Sequence, residues 1–174
     1  MILKKEFYFV RHGQTDHNKQ AAKTDHEDIS LNQTGVEQAR SLSPLIHGLS
    51  LGTICCSPMK RAKETKELLA PHFLSLEIAD LGECTARIWH EMVSLGPQAH
   101  FQGSAIVKSF FEQVKRGVNR ALENEGPVLI VAHGGVYWVL CSWMEIEEHS
   151  WLIDNCQPVH FSWSDSGKWK AKLL

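Results

Sequence analysis

No apolar run in the sequence approaches the ~18 residues that a transmembrane helix needs. The opening Met1-Ile2-Leu3-Lys4-Lys5-Glu6 carries charge where a signal peptide has its apolar stretch. A soluble, cytoplasmic protein without a membrane partner is therefore expected. Cysteine is sparse and shows no framework. Cys55, Cys56, Cys84, Cys141 and Cys156 are odd in number, two are adjacent, and none forms a C-x-x-C pair. That excludes a disulfide scaffold and a zinc knuckle, and a reduced compartment fits. Excess charge is missing too: 18 Lys+Arg against 20 Asp+Glu leaves a net −2, without the basic footprint of a nucleic-acid binder. Repeats and low-complexity tracts are absent. With 43% hydrophobic and 22% charged residues the chain is not disordered. Its 174 residues suit a single domain, 1–174, large enough to bury a core without staples. What is abundant is histidine, ten in all, the residue of metal sites, proton transfer and phosphoryl transfer.

Strand-like and helix-like stretches alternate, which argues for an α/β fold. Phe7-Tyr8-Phe9-Val10 and Thr53-Ile54-Cys55-Cys56 predict strands, and Ser75 to Ile78 a weaker one. Val36, Ala39, Leu42, Leu45 and Ile46 have helical spacing, closed by Gly48 and Gly52. Ser57-Pro58 reads as a helix start, with Ser as cap and Pro at the first helical position, and Pro71 as its stop. Residues 84–104 show no clear period and contain Gly96-Pro97 and Gly103; they read as a loop or lid with at most short helices. Residues 105–122 are the clearest amphipathic helix, ended by Gly126-Pro127. Val128-Leu129-Ile130-Val131-Ala132 is unbroken apolar sequence, as expected of a central strand buried on both faces. A helix from Val136 to Met144 follows. Val159, Phe161 and Trp163, then Trp169, Ala171 and Leu173, alternate around Asp165-Ser166-Gly167 and predict a hairpin with Lys168, Lys170 and Lys172 on its solvated face.

Two of these strands run into similar chemistry. The first leads into Arg11-His12-Gly13 and the last apolar one into His133-Gly134-Gly135. Ligands of open α/β sheets bind at the carboxyl ends of strands, so the two histidines can share one cleft. The strand before Ser57-Pro58 carries Arg61 to the same edge, in the first turn of a helix. Two arginines, two histidines and helix N-termini suit a dianion, and phosphate pairs bidentately with guanidinium.

Phe9-Val10-Arg11-His12-Gly13-Gln14-Thr15 resembles the signature of the histidine phosphatase (phosphoglycerate-mutase-like) superfamily. Further blocks follow in the family's order. Asn18 matches an Asn six residues after the nucleophilic His. Asp28-Ile29-Ser30-Leu31-Asn32-Gln33-Thr34-Gly35, with Gln38 and Ala39, resembles the second block. Ser57-Pro58-Met59-Lys60-Arg61-Ala62-Lys63-Glu64-Thr65 resembles the third, Leu81-Gly82-Glu83 the acid-bearing one, and Val131-Ala132-His133-Gly134-Gly135 the last. The resemblance implies a three-layer α/β/α sandwich with a mostly parallel sheet and an antiparallel C-terminal hairpin. It implies a phosphohistidine on His12, with Arg11, Asn18, Arg61, His133 and Gly134 binding phosphate and Glu83 as general acid. It calls for no metal and no cofactor.

Several alternatives stand beside that reading. Cys84 to Glu91 keeps the Trp of the family's aromatic-Gly-x-Trp-Glu-Gly stretch but neither glycine, so Glu83 and Glu91 both remain candidates for the acid. Asn18 can equally be a loop cap. Asp16, His17, Asp25, His26, Glu27 and Asp28 are rich in His and acid without zinc spacing, and read as a polar loop. Trp138, Trp143 and Trp151 read as core or interface packing rather than ligand stacking. Only nine residues separate Asn18 from Asp28 and no Gly-Trp lies there, unlike the family's mutases. A phosphatase of small phosphorylated metabolites, releasing inorganic phosphate, is the expectation. A phosphohistidine-protein phosphatase, a phosphoglycerate-type mutase and a silent phosphate-binding domain are the alternatives. Specificity is expected in 84–104 and in the loop 16–30.

Overall fold

The computed structural model describes residues 1–19, 28–147 and 150–174. Strands β1 (Phe7–Arg11), β2 (Thr53–Cys56), β3 (Ser75–Glu77), β4 (Val128–Ala132), β5 (Pro158–Trp163) and β6 (Trp169–Leu173) form one sheet in the order β3-β2-β4-β1-β5-β6. β3, β2, β4 and β1 are mutually parallel; β5 runs antiparallel to β1 and to β6. The expected mixed sheet with a C-terminal hairpin is what forms. Lys170 and Lys172 are exposed on its outer strand and Lys168 just before it, where charge discourages edge pairing.

Pleating sends alternate side chains into two cores. Phe7 and Phe9 of β1 and Val128, Ile130 and Ala132 of β4 enter the larger one. Val10, Leu129 and Val131 enter the other. Every residue of β4 is buried, which explains its unbroken apolar sequence. Helices α2 (Gln33–His47) and α3 (Lys60–Leu69) cover the second face, bringing Ile46, Ala62 and Leu69. Helices α6 (Ala105–Leu122) and α7 (Gly134–Trp143) cover the first. The α6 bounds match the apolar period: Val107, Phe110, Phe111, Val114, Val118, Ala121 and Leu122 are all buried on one face. Trp138 is buried there and crosses Trp151 edge to face at 5.0 Å, so both belong to packing.

Three local expectations are corrected. Residues 84–104 are not a loop: α4 (Ala86–Leu95) and α5 (Ala99–Gln102) occupy most of the segment, joined by a 3-10 turn at Gly96–Gln98. Thr85 caps α4 by accepting from the Ile88 N–H, and Ile88, Trp89, Met92 and Leu95 pack into the larger core. That apolar stripe is short and interrupted by Arg87, His90 and Glu91, which hides its period. Second, α3 starts at Lys60, not at Pro58; Met59 is its cap residue, and Asp28 Oδ1 accepts from the Lys60 N–H at 2.7 Å. The cap thus comes from a residue 32 positions away. Third, residues 16–19 of the expected loop form the short helix α1 (Asp16–Lys19). Asp25, His26, Glu27 and His149 lie outside the described residues. Among the described residues no helix is long and apolar enough to cross a membrane.

Candidate active site

Sheet register alone brings the two histidines together. Arg11 of β1 pairs with Ala132 of β4, so the next residues, His12 and His133, leave the sheet side by side. Their rings lie 5.2 Å apart between centroids, and both are buried. The His12 N–H donates to the Ala132 carbonyl at 2.9 Å, and the Ser57 N–H to the Val131 carbonyl at 3.0 Å. β2 therefore delivers Ser57 to the same edge, where its hydroxyl meets His133 Nε2 at 2.8 Å.

His12 is oriented from both ring nitrogens. Nδ1 lies 2.8 Å from the Gly13 carbonyl, an acceptor, so Nδ1 carries the proton and Nε2 keeps its lone pair. Arg61 Nε donates to that Nε2 at 3.1 Å. Burial, then the nearby Arg61 and Arg11 charges, hold the His12 pKa well below the ordinary imidazole value. The neutral ring is thus the native form. Arg61 is itself placed by α3: its carbonyl accepts from Thr65 Oγ1 at 2.7 Å, while Thr65 Oγ1 accepts from the Gly13 N–H at 2.9 Å. Burial lowers the pKa of both arginines, and Glu83 opposes that in each. A guanidinium that stays charged at this depth is a poorly solvated cation awaiting an anion.

Arg11 Nη1 donates to the Ile153 carbonyl at 2.6 Å, whereas its buried Nε has no hydrogen-bond partner. Asn18 presents Oδ1 to the Thr15 N–H and hydroxyl, both at 3.1 Å, and to Asn155 Nδ2 at 3.2 Å. Three donors on the oxygen fix the amide so that its NH2 faces away from them. Asn155 Nδ2 also donates to the His12 carbonyl at 2.8 Å. Glu83 docks on the start of α7, with Oε1 accepting from the Cys84 and Gly135 N–H groups at 3.0 and 3.1 Å. A carboxylate is favoured at a helix N-terminus. A Cβ on Gly135 would sit 2.2 Å from that Oε1 and 2.7 Å from Cys84 Sγ, so only glycine fits. Glu91 is elsewhere: it accepts from the Ser104 N–H and hydroxyl at 2.5 and 2.9 Å, and those bonds lower its pKa.

The structure thus gathers Arg11, His12, Asn18, Arg61, Glu83, His133 and Gly134 at the carboxyl edge of β1, β4 and β2, and leaves Glu91 out. Sequence reading missed Ser57 as the partner of His133, Thr65 as the link between Arg61 and Gly13, and Asn155. Ser57 and Thr65 lie within a recognised block, which is a usable signal. Asn155 lies in an irregular segment with none. Among the described residues no group of three or more His, Cys, Asp or Glu side chains is arranged to hold a metal ion.

Comparison with known proteins defines the class. The model of the histidine phosphatase superfamily (branch 1) matches residues 7–174. The chain belongs to that superfamily. The phosphatase PhoE of Bacillus subtilis is 33% identical over 75% of this chain and 72% of its own length. The broad-specificity phosphatase YOR283W of Saccharomyces cerevisiae is 27% identical over 82% of this chain and 71% of its own. The fold is also that of the phosphoserine phosphatase of Entamoeba histolytica, solved with 3-phosphoglyceric acid. There the TM-score is 0.73 at 19% identity, over 97% of this chain and 94% of that one. Family and relatives together support a phosphatase.

Proposed function

We propose that the protein is a metal-independent phosphomonoesterase that hydrolyses a small phosphorylated metabolite through a covalent phosphohistidine on His12. The observation that carries this reading is the state of His12: Nδ1–H is spent on Gly13, and the Nε2 lone pair faces Arg61 in a buried, cationic cleft. Imidazole attacks only when neutral, and this site keeps it neutral without a dedicated base.

In this reading Arg11, Arg61, His133 and the Asn18 amide hold the phosphoryl oxygens, and the α7 start at Gly134 faces the same anion. The Arg61–His12 hydrogen bond yields as phosphorus comes between them. His12 Nε2 attacks phosphorus, the ester P–O bond breaks, and Glu83, having taken a proton from solvent before this step, passes it to the leaving oxygen. Water then gives a proton to Glu83 and attacks phosphorus. The P–N bond breaks, releasing inorganic phosphate and neutral His12. The arginines supply the charge stabilisation that a metal supplies in other phosphoryl-transfer sites. Glu83 is assigned the proton transfer by position: it lies at the α7 start in the cleft that holds Arg11 and Arg61, while Glu91 is committed to Ser104. Small phosphorylated metabolites fit the substrates named for the relatives, phosphoserine among them. Nothing in the reading calls for nucleic acid or a membrane, and a cytoplasmic enzyme with one domain over 1–174 accords with it. In this reading substrate specificity resides in residues 84–104 and in the segment 16–30.

The test is hydrolysis of p-nitrophenyl phosphate in EDTA. Turnover is expected. His12→Ala should abolish it, Glu83→Gln should lower kcat by about a hundredfold or more, and Glu91→Gln should leave kcat unchanged. Acid-labile label retained on the wild type but absent from His12→Ala would identify the intermediate. Loss of activity in EDTA, or an inactive Glu91→Gln beside an active Glu83→Gln, would refute the assignment.

A further inference from the structure

A sizeable cavity among the described residues lies apart from the phosphate cleft. It has a volume of about 590 Å³ and lies at the other end of α7, where Ser142 and Trp143 line it. Trp143 is nine positions after Gly134, so the two ends of the helix are about 13 Å apart. The volume is within the range of small-molecule sites. Its walls are aromatic: Phe101 and His100 from α5, Trp143 from α7, and Trp163 and Trp169 from the hairpin. The Trp163 and Trp169 rings cross at 5.5 Å, and His100 lies 5.2 Å from Trp143.

Buried polar atoms in this wall lack partners. Ser142 is 4% exposed and its Oγ has no hydrogen bond, nor has the buried Nε1 of Trp143. A buried donor without an acceptor is costly, and natural proteins avoid it unless another group completes it. Arg11 Nε is the matching case in the phosphate cleft. The rim adds charge of both signs: Lys4, Lys168 and Lys170 against Glu145 and Glu147. Lys4 Nζ stands 4.0 Å over the Trp163 ring, which shows that face accepts a cation.

We propose that this cavity is a second ligand site, for a planar aromatic or heteroaromatic molecule bearing a carboxylate or carbonyl oxygen. The ring enters between the α5 and hairpin aromatics. The oxygen accepts from Trp143 Nε1 and Ser142 Oγ after a small adjustment of the wall. With three lysines against two glutamates on the rim, the acid binds more tightly than the corresponding amide. The indole side chains that line the cavity have no part in the phosphoryl chemistry, and the site is independent of the reading of His12.

The probes are 2-naphthoate and 2-naphthamide, titrated into the intact protein with and without saturating inorganic phosphate. Indole N–H resonances in a 15N correlation spectrum report binding. A saturable shift of the Trp143 indole signal is expected, stronger for the acid and unaltered by phosphate. Ser142→Ala, and Trp143→Phe followed on the Trp163 and Trp169 indole signals, should each weaken binding by about fivefold or more, with p-nitrophenyl phosphate turnover at the wild-type level. No saturable shift up to about 10 mM of either probe would overturn the proposal. So would competition by phosphate, or affinity unchanged in both variants.

Discussion

At the scale of single residues, His12 is a base kept dry. Its native pKa is depressed by burial and by two guanidinium groups, whereas in the unfolded chain it titrates near about 6.5. The native state therefore refuses a proton that the unfolded state takes up as the pH falls through about 6.5, so stability rises with pH there and levels off above. Two measurements follow from that sign. The acid limb of kcat/KM should lie below pH 6.5, and urea unfolding of His12→Gln should lose less stability between pH 7 and 5 than the wild type loses. An acid limb at or above about 6.5 would contradict the buried neutral imidazole. Asn155 acts one contact further out, as a positioning residue that holds the His12 carbonyl and the Asn18 oxygen with one NH2. Asn155→Asp keeps its shape but replaces two donated bonds by repulsion. A fall in kcat/KM of about tenfold is expected, about 1.4 kcal/mol. It should appear in kcat and in inhibition by inorganic phosphate, with the melting temperature only slightly lowered.

At the scale of elements, the start of α7 is where backbone and chemistry are most tightly coupled. Two adjacent glycines open this helix but do different work. A Cβ on Gly134 would meet Arg11 Nε at 3.6 Å, an ordinary contact. A Cβ on Gly135 would occupy the place of the Glu83 carboxylate. Helix propensity favours alanine over glycine at both positions by up to about 1 kcal/mol. Gly134→Ala should thus retain activity within about threefold, whereas Gly135→Ala should lower kcat by about a hundredfold while the far-ultraviolet dichroism stays that of a folded α/β protein. Equal effects of the two substitutions would mean that Glu83 is not held as described. The same logic explains α4 and α3. Each begins with a capped turn, but α4 carries its own cap in Thr85, and α3 borrows Asp28 from a distant segment.

At the scale of the whole molecule, β4 ties the protein together. It lies between β1 and β2, feeds both cores, and ends on His133. Leu129 and Ile130 are both fully buried, on opposite faces of the sheet. Truncating either to alanine should cost about 2–5 kcal/mol, from lost transfer energy plus the cavity left behind. Denaturant unfolding of Leu129→Ala would then report the α2/α3 face, and Ile130→Ala the α6/α7 face. A loss below about 1 kcal/mol in either would show that the face can collapse around the gap.

Much of this was readable without coordinates, because it is written in local patterns. The period of 105–122 predicts α6, the unbroken apolar run predicts β4, and Arg11-His12-Gly13 and His133-Gly134-Gly135 mark the strand ends where an anion belongs. Of the eight histidines among the described residues, two meet in the cleft. His47 is occupied with the Ser43 carbonyl, and His160 stacks on Tyr8 beside Glu6, both away from the cleft. What stayed hidden depends on which segments become neighbours. The proposed choice of Glu83 over Glu91 rests on one reaching the Gly135 N–H, 52 residues on, and the other reaching Ser104. Asn155 joins His12 across 143 residues, and Ser57 meets His133 across 76. Periodicity and capping are properties of a few consecutive residues, so composition and order suffice to state them. Strand order and register act between residues far apart in the chain. Only the assembled sheet decides which side chains share a cleft, which share a second cavity, and which are left at the surface.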